Sequence, residues 1–299
     1  WGYGAMTNSY NDIHKSKSIL LIGSNPAEAH PVSLLHILKA KEENNAPIIV
    51  IDPRFTRTAA HADHFLQIRP GTDVPIIWGM MYHIFENGWE DSEYIRQRVY
   101  GMDDVMAEVK KWTPDEVERV TGVPGHKVYA AAKAMADHRP GTFIWCMGGT
   151  QHTIGNNNTR AYCAFQLALG NIGVSGGGAN IFRGHDNVQG ATDLGVLSNT
   201  LPGYYGLAPG SWAHWARVWE LDLDWIKGQF DTGSYEKSGD KDVHVMNTKG
   251  IPVSRWIDGV LEDKANIAQK DNLRAMIFWG HAPNSQTRGT EMKTAMEKL

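Results

Sequence analysis

The sequence predicts an α/β fold, and three observations support this class. Residues 18–23 form an apolar run of strand length that ends in glycine, and residues 47–52 form a second run that ends in Asp52. Between the two runs, apolar side chains recur at helical spacing through Lys41, and Pro31 stands where the first turn of a helix tolerates proline. A strand, helix, strand order implies a right-handed crossover, so we predict a parallel sheet with helices packed on it.

Later segments extend this pattern. A short strand is predicted over residues 64–68, followed by a tight turn at Gly71 and a helix capped by Asp73. Residues 91–138 have a helical pattern, including a capping box at Thr113, and are assigned to packing. Three further elements complete the prediction, namely a strand over residues 142–146, a helix over 159–169 and a strand over 274–279.

The composition excludes several classes of protein. The 299 residues include 29 basic and 33 acidic side chains, and no run of lysine or arginine indicates a nucleic-acid or membrane surface. No apolar stretch reaches about 18 residues, so we expect no direct membrane span. The two cysteines, Cys146 and Cys163, are too few for a disulfide framework or a Cys-x-x-Cys metal site. We interpret both as small buried hydrophobic residues.

Residues 182–193 have the most unusual composition, because they place an arginine, an imidazole, several amides and two glycines in one short stretch. Three glycines at residues 176–178 allow the backbone to bend sharply before these polar groups arrive. The stretch suits neither a helix face nor a sheet face, so we interpret it as a site loop. The planar guanidinium of Arg183 suits a carboxylate or a phosphate, which makes Arg183 the first candidate for contact with a substrate.

This stretch also carries a family resemblance. It resembles the active-site crossing of the formate dehydrogenase branch of the molybdopterin oxidoreductases, and the matching residues are Arg183-Gly184-His185-Asp186-Asn187-Val188-Gln189-Gly190-Ala191. Further motifs resemble the same family in the right order, and the resemblance runs from the first residue to about Gln286. These motifs are residues 4–8, 25–31, 51–59 and 71–73.

The resemblance implies two Rossmann-like αβα domains of the molybdopterin oxidoreductase fold. The first would be a dinucleotide-binding domain over residues 1–185, and the second, incomplete in this sequence, would cover residues 186–299. The family binds two molybdopterin guanine dinucleotides around one molybdenum or tungsten, so the resemblance implies a bis-molybdopterin guanine dinucleotide centre. It leaves the choice between molybdenum and tungsten open.

In a parallel sheet, ligands sit beyond the carboxyl ends of the strands, where glycines and polar residues cluster in this sequence. Asp52 can accept a hydrogen bond from a ribose hydroxyl or a guanine edge, and Arg54 can pair with phosphate. A helix that starts beyond Asn25 offers free amides to an anion. The candidate cofactor-binding residues are Gly23, Ser24, Asn25, Glu28, His30, Asp52, Pro53, Arg54, Thr56, Gly71, Asp73, Met147, Gly148, Gly149, Gln151, Gly184, Gly280, His281, Asn284 and Gln286.

The resemblance further implies a catalytic subunit that reversibly oxidises formate to carbon dioxide, a proton and two electrons. In this role Arg183 orients the formate carboxylate, and His185 hydrogen-bonds the substrate or pterin or tunes the proton path. The chemistry at the C–H bond belongs to the metal and its cofactor. Electrons pass to iron–sulfur clusters, and the implied partners are an iron–sulfur electron-transfer subunit and a membrane cytochrome subunit.

The sequence departs from the family pattern in one respect. The metal-ligating cysteine or selenocysteine and the cysteines of a 4Fe–4S cluster are expected upstream of Trp1, and neither Cys146 nor Cys163 lies in a ligand motif. We therefore expect the chain to be an internal piece of a catalytic subunit that does not turn over formate by itself. Details of residues 27–31 and 54–59 resemble exported respiratory formate dehydrogenases, which favours a periplasmic location over the cytoplasmic alternative.

Three alternatives are kept. Another molybdopterin oxidoreductase, such as a nitrate or sulfur-compound reductase, is disfavoured by Arg183 together with His185. A scaffold subunit of the same fold that has lost its pterins, as in respiratory complex I, is disfavoured by intact glycine and polar sets at four strand ends. An ordinary nucleotide-binding α/β protein would have one nucleotide site and would leave the Arg183 stretch unexplained.

Overall fold

The computed structural model describes residues 5–196, 200–206, 209–230, 235–238, 241–244, 251, 255–267, 272–278, 280 and 288–299. The chain divides into two compact units, Trp1–Ala191 and Thr192–Leu299. Within the described ranges, none of the helices combines the length and the apolar character that a membrane crossing requires. The assignment of two nucleotide-binding domains that meet near His185 stays a prediction.

A five-stranded parallel sheet forms the centre of the first unit. Its strands are β1 (Ser18–Ile22), β2 (Ile48–Ile51), β3 (His64–Leu66), β4 (Gly141–Trp145) and β5 (Ala179–Ile181). Their order in the sheet is β3-β2-β1-β4-β5, with every neighbouring pair parallel. The chain order reverses between β1 and β4, the position at which doubly wound folds place their ligands. The predicted α/β class with a parallel sheet is confirmed.

Helices connect these strands and cover both faces of the sheet. They are α1 (Pro26–Ala29), α2 (Pro31–Asn44), α3 (Asp73–Glu86), α4 (Ser92–Arg98), α5 (Met102–Val109), α6 (Pro114–Thr121), α7 (Gly125–Asp137), α8 (Met147–Thr150) and α9 (Gly155–Ala168). A further helix, α10 (Val188–Asp193), follows β5. The α1 and α2 helices form the crossover from β1 to β2, whereas α8 and α9 form the crossover from β4 to β5. This arrangement is the layered αβα architecture that the sequence predicts for the first unit.

Alternate residues of the strands build two apolar cores, one on each face of the sheet. Leu20 and Ile22 belong to the core formed with α3, α7 and α9, whereas Ile19 and Leu21 belong to the core formed with α2. Every residue of β1 is buried. Burial on both faces explains why this strand is a continuous apolar run in the sequence rather than an alternating one.

Two helix starts show where the capping predictions succeed and fail. Thr113 caps α6 as predicted, because its hydroxyl oxygen accepts a hydrogen bond from the Glu116 amide at 3.4 Å. Asp73 is the first residue of α3 rather than its cap, and it is only 4% exposed. A carboxyl group at that depth needs a hydrogen-bond donor, and the Tyr162 hydroxyl supplies one at 3.2 Å.

The prediction of a loop over residues 182–193 is wrong in its second half, where α10 forms. Asn187 has a left-handed φ of 52° and lies beside Gly190, where an added Cβ would come 2.2 Å from the asparagine Oδ1. Glycine at this position leaves room for the asparagine side chain at the start of the helix. Composition alone did not reveal this packing arrangement.

The described part of the second unit contains helices and short antiparallel strand pairs. The pairs are β6 (Thr200–Leu201) with β7 (Tyr205–Gly206), and β8 (Tyr235–Ser238) with β9 (Lys241–His244). The helices are α11 (Trp212–Val218), α12 (Leu223–Phe230), α13 (Trp256–Leu261), α14 (Lys264–Ile267) and α15 (Gly289–Met296). The α11 helix contains Trp212 and Trp215, and α12 contains Trp225.

The predicted strand over residues 274–279 is not present in its described part. Residues 272–278 have neither helix nor strand assigned, and Ile277 is 91% exposed. A strand needs a neighbour that takes its backbone hydrogen bonds, and an apolar run cannot supply that neighbour. Trp279 lies outside the described residues.

Candidate functional site

The loops that follow β1 and β4 touch at the carboxyl edge of the sheet. The Gly148 amide donates a hydrogen bond to the Gly23 carbonyl oxygen at 3.1 Å. A Cβ on Gly23 would lie 2.4 Å from the Gly148 carbonyl carbon, and a Cβ on Gly148 would lie 2.6 Å from the Gly23 oxygen. Gly23 also has a left-handed φ of 54°. This contact requires glycine on both sides, and it joins two of the predicted cofactor-binding loops.

A polar cluster joins the loop after β1 to the loop after β2. The Asn25 Oδ1 accepts hydrogen bonds from the Thr58 hydroxyl at 2.7 Å and from the Thr58 amide at 3.3 Å. The Asn25 Nδ2 donates to the Glu28 carboxylate. Glu28 in turn lies 3.6 Å from the Arg54 guanidinium and 3.4 Å from that of Arg57. The two arginine side chains are 71% and 78% exposed, so much of each guanidinium faces solvent, where an anion could bind.

Two carboxyl groups at neighbouring strand ends, Asp52 and Asp73, have raised pKa values. Burial raises the pKa of Asp52; the charge of Asp73 adds to the rise, while the amide and charge of Arg54 oppose it. Burial likewise raises the pKa of Asp73, against the lowering effects of His152 and of the Tyr162 hydroxyl. Perturbed carboxyl groups at the edge of a sheet are typical of binding sites, although they also occur in structural networks.

Helix α9 packs against the loop that follows β4. The Asn158 Nδ2 donates to the Gly149 carbonyl oxygen at 3.0 Å, and a Cβ on Gly149 would lie 3.1 Å from the Tyr162 ring. Asn158 and Tyr162 were not predicted, because no local motif marks a residue whose role depends on helix packing. Arg57 and Thr58 were not predicted either, although they lie inside one of the resembling motifs, which is a signal that could have identified them.

Arg183 leaves the sheet from an anchored position. Phe182 is fully buried, and its amide donates to the Trp145 carbonyl oxygen at 2.9 Å. The His30 Nε2 is hydrogen-bonded to the carbonyl oxygen of Arg183. One guanidinium nitrogen of Arg183 donates to the Val188 carbonyl oxygen at 3.4 Å. The backbone before and after the Arg183 side chain is therefore held by the sheet and by the junction of α1 with α2.

Beyond Arg183 the loop is open to solvent. Gly184 and His185 are both exposed, and a Cβ added to Gly184 would meet no atom within 4 Å. The loop is tied again at Gln189, whose Oε1 accepts a hydrogen bond from the Met6 amide at 3.0 Å. This contact brings the first and last of the resembling motifs together.

Other predicted residues make ordinary structural contacts near these strand ends. The Thr56 hydroxyl oxygen accepts from the Ala59 amide at 3.1 Å, and the Pro53 carbonyl oxygen accepts from Gln67 at 3.0 Å. Gly71 forms the predicted tight turn with a φ of 83°.

For the remaining predicted cofactor-binding residues, we describe only their position and exposure. Met147 begins α8 and is 47% exposed, and Gln151 is the C-cap residue that follows this helix. Gly280 belongs to the second unit, whereas His281, Asn284 and Gln286 lie outside the described residues. Their relation to the cofactor-binding loops stays a prediction.

The two cysteines are partly exposed rather than buried, which corrects the sequence interpretation. Cys146 follows β4 directly, and partial burial raises the pKa of its thiol. In the described ranges, no group of three or more His, Cys, Asp or Glu residues is arranged to hold a metal ion.

Two buried polar atoms near the end of β1 test whether a ligand fits this edge. Neither the Ser24 Oγ nor the His30 Nδ1 has a hydrogen-bond partner within the part of the chain that the structure describes. Buried polar atoms are almost always hydrogen-bonded. A polar ligand at this edge would supply partners, so the residues present fit the binding of such a group.

Comparisons with known proteins show which family this sequence resembles. The sequence profile described as molybdopterin oxidoreductase matches residues 2–267. The F420-dependent formate dehydrogenase subunit alpha of Methanocaldococcus jannaschii is 41% identical over 224 residues, which cover 75% of this chain and 33% of that protein. The F420-dependent formate dehydrogenase 1 subunit alpha of Methanococcus maripaludis is 37% identical over 248 residues, with coverages of 82% and 36%.

A bacterial relative is more distant. The nitrate-inducible formate dehydrogenase major subunit of Escherichia coli is 35% identical over 263 residues, with coverages of 69% and 26%. The solved structure of acetylene hydratase from Pelobacter acetylenicus aligns with 54% of this chain and 23% of the hydratase chain, at 24% identity and a TM-score of 0.44. We base no conclusion on a similarity this low.

The chain spans between about a quarter and about a third of the length of the curated relatives it matches. The profile match covers most of the chain, which rules out the alternative of an ordinary nucleotide-binding α/β protein and confirms the resemblance that the motifs indicated. The chain belongs to the molybdopterin oxidoreductase family.

Proposed function

We propose that this chain is part of the catalytic subunit of a formate dehydrogenase. The subunit would oxidise formate reversibly to carbon dioxide at a molybdenum or tungsten centre held by two molybdopterin guanine dinucleotides. The observation that carries the proposal is the position of Arg183, which is anchored directly beyond β5 at the edge where the candidate cofactor loops also end. Relatives named formate dehydrogenases support it at 35–41% identity.

The chain offers donors and acceptors that suit a pterin dinucleotide. Arg54 and Arg57 present exposed guanidinium groups to phosphate oxygens, and Asp52 is an acceptor for ribose or guanine. The buried Ser24 Oγ and His30 Nδ1 would gain hydrogen-bond partners. When bound, the metal and pterin supply the two-electron chemistry at the formate C–H bond.

In this proposal Arg183 orients the substrate. Two parallel N–H···O bonds from its guanidinium fix both oxygens of formate, which sets the direction of the C–H bond. The exposed His185 on the same loop hydrogen-bonds the substrate or pterin, or moves the released proton. Formate is small and carries one negative charge, so a single arginine balances its charge and fills two of its roughly four acceptor sites.

The proposal places the remaining machinery elsewhere in the protein. The metal ligand would be a cysteine or selenocysteine outside these 299 residues. The cysteines of the 4Fe–4S cluster would also lie outside them. The electrons pass to an iron–sulfur subunit and a membrane cytochrome subunit. We place the enzyme in the periplasm, with the cytoplasm as the alternative, and cell fractionation with an antibody against the chain decides between them.

The first experiment measures metal and released guanine nucleotide in the native protein, purified without oxygen, together with formate-dependent reduction of a viologen dye. One metal and two nucleotides with formate activity is the expected result. A loaded protein that reduces nitrate or a sulfur compound and ignores formate supports the reductase alternative. Absence of both metal and nucleotide supports the scaffold alternative.

The role of Arg183 is tested by Arg183→Lys, which keeps the charge but loses the planar fork. We expect kcat/KM for formate to fall by about 10- to 100-fold, because one bidentate, charge-assisted contact contributes roughly 1.5–3 kcal/mol. Arg96→Lys is the matched control, since Arg96 is 69% exposed and pairs with Glu93 within α4. Equal activity of the two variants contradicts the assignment.

A further inference from the structure

We infer that His30 is a positioning residue for Arg183. Its imidazole holds the main-chain carbonyl of Arg183 and so links the junction of α1 with α2 to the substrate loop. The inference rests on the proposed function in one respect, because it treats Arg183 as the residue that orients formate.

The contact itself is a long-range hydrogen bond. The His30 Nε2 meets the Arg183 carbonyl oxygen across 153 residues of sequence. A carbonyl oxygen only accepts, so Nε2 carries the proton, and Nδ1 is an acceptor in the neutral ring. The imidazole also packs against Phe182, with ring centroids 5.6 Å apart and planes at 58°. Both the hydrogen bond and the ring contact therefore place His30 against the base of the loop.

The restrained carbonyl lies where the loop leaves its support. The amide of Phe182 is tied to β4 through the Trp145 carbonyl oxygen at 2.9 Å, and the carbonyl of Arg183 is tied to His30. These two bonds bracket the Arg183 Cα and fix the peptide plane on its far side. The next residue, Gly184, adds little restraint, because it has no side chain and an added Cβ would meet no atom within 4 Å. Loss of the His30 bond would free rotation at this point.

His30 is suited to this task because its own backbone is held. Its amide donates to the Pro26 carbonyl oxygen at 2.9 Å, and its carbonyl oxygen accepts from the Ser33 hydroxyl at 2.7 Å. Pro31 follows and restricts the backbone further. The imidazole therefore projects from a rigid corner between α1 and α2.

The other ring nitrogen of His30, Nδ1, needs a hydrogen-bond donor. The His30 Nδ1 is buried without a partner among the residues that the structure describes, and α1 carries Glu28, which binds the Arg54 and Arg57 guanidiniums. A donor from a ligand at this edge would fix the tautomer in which Nε2 bears the proton. Occupancy of the cofactor edge and the orientation of Arg183 would then be coupled through one ring.

The test compares three variants in the purified holoenzyme: His30→Phe, His30→Gln and, as the matched control, His126→Phe, which replaces an exposed histidine on α7. We expect His30→Phe to lower kcat/KM for formate, expressed per bound metal, by about 10- to 100-fold, mainly through kcat. His30→Gln recovers most of the loss, because a side-chain amide nitrogen can still donate to the carbonyl. His126→Phe behaves as wild type.

A second measurement does not depend on activity. Hydrogen–deuterium exchange of peptides covering residues 182–187 should be faster in His30→Phe than in wild type, and unchanged in His30→Gln and His126→Phe. Unchanged exchange in His30→Phe overturns the inference, as does activity within about twofold of wild type. Loss of cofactor in proportion to activity also overturns it, because His30 would then retain the cofactor rather than position Arg183.

The same data separate this inference from the proposed function. Wild-type enzyme that carries metal and nucleotide but does not reduce dye with formate overturns the formate assignment. Exchange at residues 182–187 still decides whether His30 holds the loop.

Discussion

Replacing Gly23 with alanine tests whether the contact between the loops after β1 and β4 depends on glycine. The new Cβ would lie 2.4 Å from the Gly148 carbonyl carbon and 2.5 Å from the Gly149 nitrogen. Both are backbone atoms, so neither can swing away as the end of a flexible side chain would. The loop must move, or the edges of β1 and β4 must separate.

The expected loss in the free energy of unfolding of Gly23→Ala has two contributions. A non-glycine residue at a left-handed φ of 54° costs about 1–2 kcal/mol, and the overlap with a packed backbone costs about 1–3 kcal/mol more. Gly71→Ala is a matched control, because Gly71 has a φ of 83° but an added Cβ would meet no atom within 4 Å. The free energy of unfolding should therefore fall by about 1–3 kcal/mol more in Gly23→Ala than in Gly71→Ala.

Denaturant unfolding of both variants measures this difference, and bound guanine nucleotide is counted in the same preparations. Gly148→Ala tests the contact from the other side, because its Cβ would lie 2.6 Å from the Gly23 oxygen. Equal destabilisation by Gly23→Ala and Gly71→Ala would refute the reasoning, since only backbone strain would then be acting.

Three further predictions concern the same unit. Phe182→Ala removes a fully buried ring and should lower the free energy of unfolding by about 3–5 kcal/mol, whereas Tyr100→Ala at a fully exposed position should change it by less than about 0.5 kcal/mol; denaturant unfolding compares them. Asn25→Ala leaves the Thr58 hydroxyl and amide without their acceptor, which costs about 1–3 kcal/mol and weakens nucleotide retention, and unchanged values for both contradict that role. Because burial raises the pKa of Asp73 above 3.8, the folded state holds its proton longer than the unfolded state, and stability from this group is lost as the pH rises through that raised pKa. Asp73→Asn should remove this loss, and thermal unfolding from pH 4 to pH 7 should show a smaller decline than wild type; parallel curves would contradict it.

Local patterns were sufficient for the centre of the sheet. The predicted runs over residues 18–23 and 47–52 enclose β1 and β2 and exceed them by one residue at most at either end. Full burial on both faces requires apolar side chains at every position, so these strands stand out in the sequence. The same reasoning failed at residues 274–278, where an apolar run has no strand assigned.

The candidate site was predictable in part. Glycines and polar residues after β1, β2 and β4 were identified because ligands in such folds bind beyond strand ends, and the structure brings Gly23 to Gly148 and Glu28 to Arg54. The supporting residue Tyr162 was missed, because in the sequence it is only another aromatic residue in a helical run.

By itself, the sequence determined the α/β class, the family and the loops that carry polar groups, because these depend on apolar spacing and on residue types that lie close together along the chain. Only the tertiary structure decided which loops meet. The Tyr162 hydroxyl reaches Asp73 across 89 residues, and the His30 imidazole reaches the Arg183 carbonyl across 153. These contacts depend on the placement of β4 beside β1 and on how α9 packs against the sheet, and no local pattern encodes either arrangement.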